Sequence, residues 1–251
     1  LMSGTDSAGV PWEGRSFDHG PASDDDGAAP PKLLEALRRF RSRELGEAEV
    51  VDEVRHSRLL IPLLAHAGDT GVAPSGHAVD KTQELAIITV EGPDGRTVLP
   101  AFTSVDAMRE WNPKARPVPA DGARVALAAA GEGTDLVVID ATTDTEFAIR
   151  RPALWALAQG QSWLPSYLDE EVLGDFMAAA DGEESIVAIQ LAPGDPDARL
   201  AGPELLVQLA LVDGLDQLHL AALVDRLQKR WAASETIATR VDSMTLRIVR
   251  A

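Results

Sequence analysis

The spacing of apolar residues changes along this chain, and each change marks an element. Leu33, Leu34, Leu37 and Phe40 recur at helical spacing after Pro30-Pro31, a dipeptide tolerated where a helix opens. Gly46 interrupts, and Val50, Val51 and Val54 form the inward face of a second helix over about 47–56. Leu59-Leu60-Ile61-Pro62-Leu63-Leu64 reads as a short strand, with Pro62 favouring an edge or a bulge. Leu85 to Val90 reads as the next strand. Gly92-Pro93-Asp94-Gly95 is a turn, so the strand at 96–103 is expected to return antiparallel as a hairpin. Pro117 and Pro119 mark a break, and a helix is expected over 123–130. Leu136-Val137-Val138-Ile139-Asp140 is a strand that Phe147-Ala148-Ile149 can pair with. Arg151-Pro152 opens a helix carrying Leu154, Trp155 and Leu157.

A boundary is expected near 159–165, where Gly, Gln, Ser and Pro replace the apolar periodicity. Beyond it come a helix over about 168–180 and a strand at 186–191 with Val187, Ile189 and Leu191 alternating. A strand at 205–212 follows. A long helix over 215–232 carries Leu220, Val224, Leu227 and Trp231 on one face, and Met244, Leu246 and Ile248 define a last strand. The whole reads as an α+β fold of two mixed units, each a largely antiparallel sheet covered by helices. The expected division is an extended arm at 1–29, one unit at 30–160 and a second at 165–251. The arm is rich in Gly, Pro, Ser and Asp. Its Trp12, in Pro11-Trp12-Glu13-Gly14-Arg15, is the residue best able to anchor it.

Composition narrows the possibilities. With 45% hydrophobic residues and 4% aromatic, the core must be built from Ala, Val, Leu and Ile. A formal net charge of −17 repels phosphate backbones and anionic leaflets, so neither nucleic acid nor membrane is an expected partner. There is no cysteine, which excludes disulfides, thiolate catalysis and Cys-ligated metals. A cytoplasmic location fits that absence. The N-terminal residues lack a basic stretch followed by an apolar core, so no signal peptide is expected.

Motifs for chemistry are few. Asp69-Thr70-Gly71 matches an aspartic-protease triplet, but that reaction needs a second such carboxylate and none is present. Asp24-Asp25-Asp26-Gly27 fails as a calcium loop, because Ala29 stands where the required glycine should be. His56, His66 and His77 do not form an i, i+4 ligand pair. Arg38, Arg39, Arg41 and Arg43 lie near Glu35, Glu44 and Glu47 and read as a solvated, ion-paired helix face. Phosphate-binding glycine loops and the Gly-x-Ser-x-Gly nucleophile elbow are absent. No cofactor and no metal is expected.

The stretch Leu99-Pro100-Ala101-Phe102-Thr103-Ser104, followed by Trp111 and Pro113, resembles the SseB ("enhanced serine sensitivity protein B") family. So do the Leu60-Ile61-Pro62 strand, the 92–95 turn and the 136–140 strand, and the helix ending in Trp231 more weakly resembles the family's second domain. The resemblance implies an SseB-like N-terminal domain over 30–160 and a C-terminal one over 165–251. It implies no catalytic residue. Phe102 is expected in the core, Ser104 or Thr103 as a helix cap, and Trp111 as a lid on a short helix.

Two functions are expected from these features. The first is a non-catalytic cytoplasmic protein-interaction or regulatory module with a protein partner or a homodimer interface. Trp12, Arg15 and Trp163 are its candidate contact residues. The second is a small-molecule binder or enzyme with a site between the two units, walled by the 66–81, 141–146 and 193–203 loops. His66, Asp69 and His77 would be its candidate pocket residues.

Overall fold

The computed structural model describes residues 25–66 and 84–251. The chain opens with two helices, α1 (Pro31–Arg41) and α2 (Glu47–Arg55). Strands β1 (Arg58–His66), β2 (Glu84–Ile87), β3 (Val90–Glu91) and β4 (Thr97–Ala101) follow. Next come α3 (Val105–Trp111), β5 (Arg116–Asp121), α4 (Gly122–Gly131), β6 (Val137–Ile139), β7 (Phe147–Ile149) and α5 (Arg151–Ala158). After a short 3-10 turn at Ser166–Leu168 the chain forms α6 (Glu170–Ala178), β8 (Ile186–Pro193), β9 (Leu205–Leu211), α7 (Gln217–Ala232), α8 (Glu235–Arg240) and β10 (Met244–Arg250). The described strands make three sheets, ordered β2-β1-β5, β3-β4-β6-β7 and β10-β9-β8. Helices and largely antiparallel sheets are combined as an α+β fold.

Pro62 lies in a central strand, not at an edge. It faces Pro117 of β5 across the antiparallel register. Leu60 donates to Phe102 O at 2.8 Å and accepts from Phe102 N–H at 2.9 Å, while the Pro62 carbonyl accepts from Ile88 N–H at 3.2 Å. The polar groups of Leu60 and Pro62 therefore turn away from β5. Pro117 and Pro119 sit opposite them and cost the ladder no hydrogen bond. These two prolines build an edge strand in place of the expected break, and they blunt its outer side.

The expected strand at 85–90 is divided between two sheets. β2 pairs with β1, and only Val90 and Glu91 pair with Val98 and Thr97 to complete the hairpin. β4 then runs parallel to β6, and β9 parallel to β10. Each parallel pair needs a long crossover, which the intervening helices supply. In β8 a register shift between Ile186 and Ala188 leaves Val187 exposed, which breaks the alternation expected from its sequence. In α7 the buried line is Leu223, Leu227 and Trp231, with Val224 beside it.

Two large apolar clusters result. The first joins α1, α2, the strands β1, β4, β6 and β7, and α4 and α5. The second joins α6, β9, α7 and α8, with Phe176 and Trp231 in edge contact at 5.1 Å between ring centroids. The 194–203 loop connects them. Its Ala198 is buried in the first cluster, and Leu200 packs with Val98, Leu136 and Val138. Ala198 O also accepts from Ala148 N–H at 2.7 Å, so the loop extends the free edge of β7.

The strand-to-helix corner that carries the family resemblance is core. Phe102 is fully buried and its ring lies 5.2 Å from Trp111. Ser104 Oγ caps α3 by accepting from Ala107 N–H at 3.1 Å. Through the Leu60–Phe102 bridge this corner also couples the first two sheets. Replacing Phe102→Ala is expected to lower the unfolding free energy by about 3–5 kcal/mol. Urea denaturation followed by tryptophan emission measures it, and a loss under about 1 kcal/mol would contradict the coupling assigned to this ring.

Candidate functional site

Most residues singled out from the sequence fall outside the described structure. Trp12, Arg15, Asp69 and His77 lie there, and so does the side chain of His66 at the end of β1. Trp163 is described. It is half-buried and packs against the first apolar cluster, with its Nε1 buried and without an acceptor. Among the described residues no group of three or more His, Asp or Glu is placed to hold a metal ion.

Sequence reasoning missed the polar junction between the two clusters. Arg150 precedes α5 and is buried. Its Nη2 donates to Asp195 Oδ2 and to Gly202 O, both at 2.7 Å. Its Nη1 donates to Asp242 Oδ2 at 3.2 Å, and Arg96 donates to the same carboxylate at 3.0 Å. Asp195 in turn accepts from Leu200 N–H at 2.8 Å, which fixes the loop that carries Leu200 against Val98, Leu136 and Val138. Glu204 Oε1 accepts from the buried Ser166 hydroxyl at 2.6 Å, and Oε2 accepts from Asp242 N–H at 2.6 Å. Burial pushes the Glu204 carboxyl above its ordinary range. Beside it, Tyr167 donates to Glu47 Oε1 at 3.1 Å. Burial pushes the Glu47 carboxyl up to about 7, against the opposing pull of that hydrogen bond. These groups bond to one another across the junction, so the cluster acts as a clamp.

A second missed feature is a groove of about 870 Å³ beside this clamp. Its walls are α5, the 159–169 connection, the start of α6 and the end of α8. Leu154 and Leu157 turn α5 into the core, so Trp155 falls on the outer face and is 43% exposed. The Arg151 guanidinium lies 5.1 Å from its ring centroid. Leu164 and Leu168 are 50% and 57% exposed on the opposite wall, and Trp163 lines the same groove. Asp169, Glu170 and Glu171 give the rim negative charge, partly offset by Arg240, which binds Asp169 at 2.8 Å. Asp169 also caps α6 through Glu171 N–H at 2.9 Å. The helical period of α5 could have revealed Trp155, whose position one step from Leu154 turns it about 100° off the buried line.

A third cluster lies where β4 and β6 end. Asp140 is buried and its carboxylate accepts from Thr103 N–H at 2.8 Å, Thr103 Oγ1 at 2.7 Å and Thr145 Oγ1 at 3.0 Å. Burial raises its pKa and the three hydrogen bonds oppose that rise. Thr103 thus serves Asp140 and not the helix, which Ser104 caps. The group anchors the 140–146 loop.

Two outcomes follow for the clamp. Arg150→Met leaves Asp195 and Asp242 buried without their shared cation and is expected to destabilise by about 3–5 kcal/mol. Adding Asp195→Asn and Asp242→Asn should recover part of that loss in the same denaturant titration. Glu47 gains protons on folding, because its folded pKa lies above its unfolded value. Its contribution to stability therefore falls as pH rises from about 4.5 to about 7. Glu47→Gln should melt higher than the parent at pH 8, with that advantage shrinking toward pH 5. Melting curves at both pH values check the sign.

No curated protein and no solved structure matches the chain. Residues 33–156 match the family model described as the SseB protein N-terminal domain. That segment runs from the first buried leucine of α1 to the middle of α5, and it includes the Phe102 corner and the clamp's Arg150. By this match the chain belongs to the SseB family.

Proposed function

We propose that this protein is a non-catalytic, cytoplasmic interaction module that docks a segment of a partner protein in the groove between α5 and α6. The observation that carries the proposal is the exposure of Trp155, Leu164 and Leu168 around one concavity that Trp163 also lines. Large apolar side chains grouped in this way mark interaction sites, and tryptophans dominate binding energy where they occur. The acidic rim and the net charge of −17 favour a partner segment with apolar anchors flanked by Lys or Arg. Among the described residues no helix is long and apolar enough to cross a membrane.

The test is a photo-crosslinking residue at position 164 in the full chain, compared with the same chain carrying Trp155→Asp and Leu168→Asp. The expected result is a discrete crosslinked protein whose yield falls by at least about tenfold in the double variant, with the melting temperature preserved. Undiminished crosslinking in the variant would remove the groove from the account. So would a parent chain that crosslinks to no protein.

A further inference from the structure

The 140–146 loop of the first unit and the 195–200 loop of the second meet at an apolar cavity that shares no lining residue with the groove. The cavity measures about 460 Å³, a size typical of small-molecule sites. Val98, Pro100 and Val138 line it from the sheet, Trp111 from the end of α3 and Ala141 from its own loop. Arg199, Glu146 and Glu91 supply charge.

The backbone around this cavity is unusual. Among the described non-glycine residues five have φ in the left-handed region, and four of them stand in these two loops. They are Asp140 (47°), Thr142 (70°), Ala198 (47°) and Leu200 (55°). Such conformations persist only when the surroundings fix them, and they gather at binding and catalytic sites. Here Thr142 N–H is fixed by Glu146 Oε2 at 2.6 Å, Ala198 O by Ala148 N–H, and Leu200 N–H by Asp195. Arg199 sits between two of the left-handed residues and is thereby held against the cavity.

The hydrogen bonds of Arg199 indicate what it faces. Nη2 donates to Thr143 O at 3.3 Å, and Nε stands 4.0 Å from Glu146 Oε1. A guanidinium has five donors. Neighbouring Arg41 is bound to the carbonyls of Asp144, Asp197 and Glu146, and Arg150 to four groups of the clamp. Arg199 thus keeps donors that these neighbours have committed. Glu146 and Glu91 offset Arg199, so the cavity has no excess of positive charge to hold a phosphate, and recognition of an anion rests on the uncommitted paired donors of Arg199.

We propose that this cavity binds a small carboxylate with a ring-sized apolar body, the body against Trp111, Val98 and Val138 and the carboxylate on Arg199. The paired donors of a guanidinium match a carboxylate in geometry and charge.

The probes are 3-phenylpropionate and its uncharged amide, 3-phenylpropanamide, titrated calorimetrically into the full chain. The acid is expected to bind about tenfold more tightly than the amide. Arg199→Gln should abolish that preference while leaving amide binding in place. Ala141→Trp, which fills the cavity, should abolish binding of both without a change in melting temperature. The proposal is overturned if neither probe binds at about 10 mM, if acid and amide bind equally to the parent, or if Arg199→Gln keeps the preference.

Discussion

The buried arginine at position 150 is the interaction on which the rest of the molecule depends. It stands at the start of α5, beside the first apolar cluster, and spends its guanidinium on Asp195, Gly202, Asp242 and Ser243, which flank the strands of the second. Removing charges from water is costly, and the cost is met only when every partner is present and well aligned. The contacts are therefore mutually dependent. Asp195 holds Leu200, Leu200 fills the small cluster with Val98, Leu136 and Val138, and Glu204 fixes the backbone of Asp242 while binding Ser166. At Gly194 an added Cβ would collide with Pro203 O, so only glycine lets the two arms of this loop approach so closely.

That clamp brings together segments far apart in sequence, and both proposed binding surfaces stand beside it. The α5–α6 groove needs α5 and α8 held side by side, which the Arg151 bonds to the carbonyls of Ala238 and Val241 also enforce. The cavity at Arg199 needs the 195–200 loop seated on β7. A residue whose own neighbours are in left-handed backbone can be aimed reproducibly only when the loop is anchored at both ends. The clamp supplies one anchor through Asp195, and the bond from Ala148 N–H to Ala198 O supplies the other.

Elements whose signal is local were legible in the chain. The α1 stripe of Leu33, Leu37 and Phe40, the Gly92-Pro93-Asp94-Gly95 turn and the Ser104 cap all form as their residues suggest. Elements whose pairing depends on distant strands were not. Pro62 is tolerated centrally because Leu60 and Pro62 turn their polar groups toward Phe102 and Ile88, and nothing near residue 62 in the chain announces those partners. The candidate site was less legible still. Trp163 could be singled out as an aromatic in a polar connection, but its companions Trp155, Leu164 and Leu168 become a group only when α5 and α6 are placed side by side. Arg150, Asp195, Asp242 and Glu204 are ordinary charged residues in sequence, and burial alone distinguishes them.

The sequence by itself determined the fold class, the family, the absence of thiol chemistry and the acidic balance, because each follows from composition or from contacts within a few residues. Only the tertiary structure decided which strands run parallel, which charges are buried and which apolar side chains stay exposed. The physical reason is that burial and long-range register belong to pairs of surfaces. Asp195 and Asp242 acquire their meaning from one arginine that lies 45 and 92 residues away.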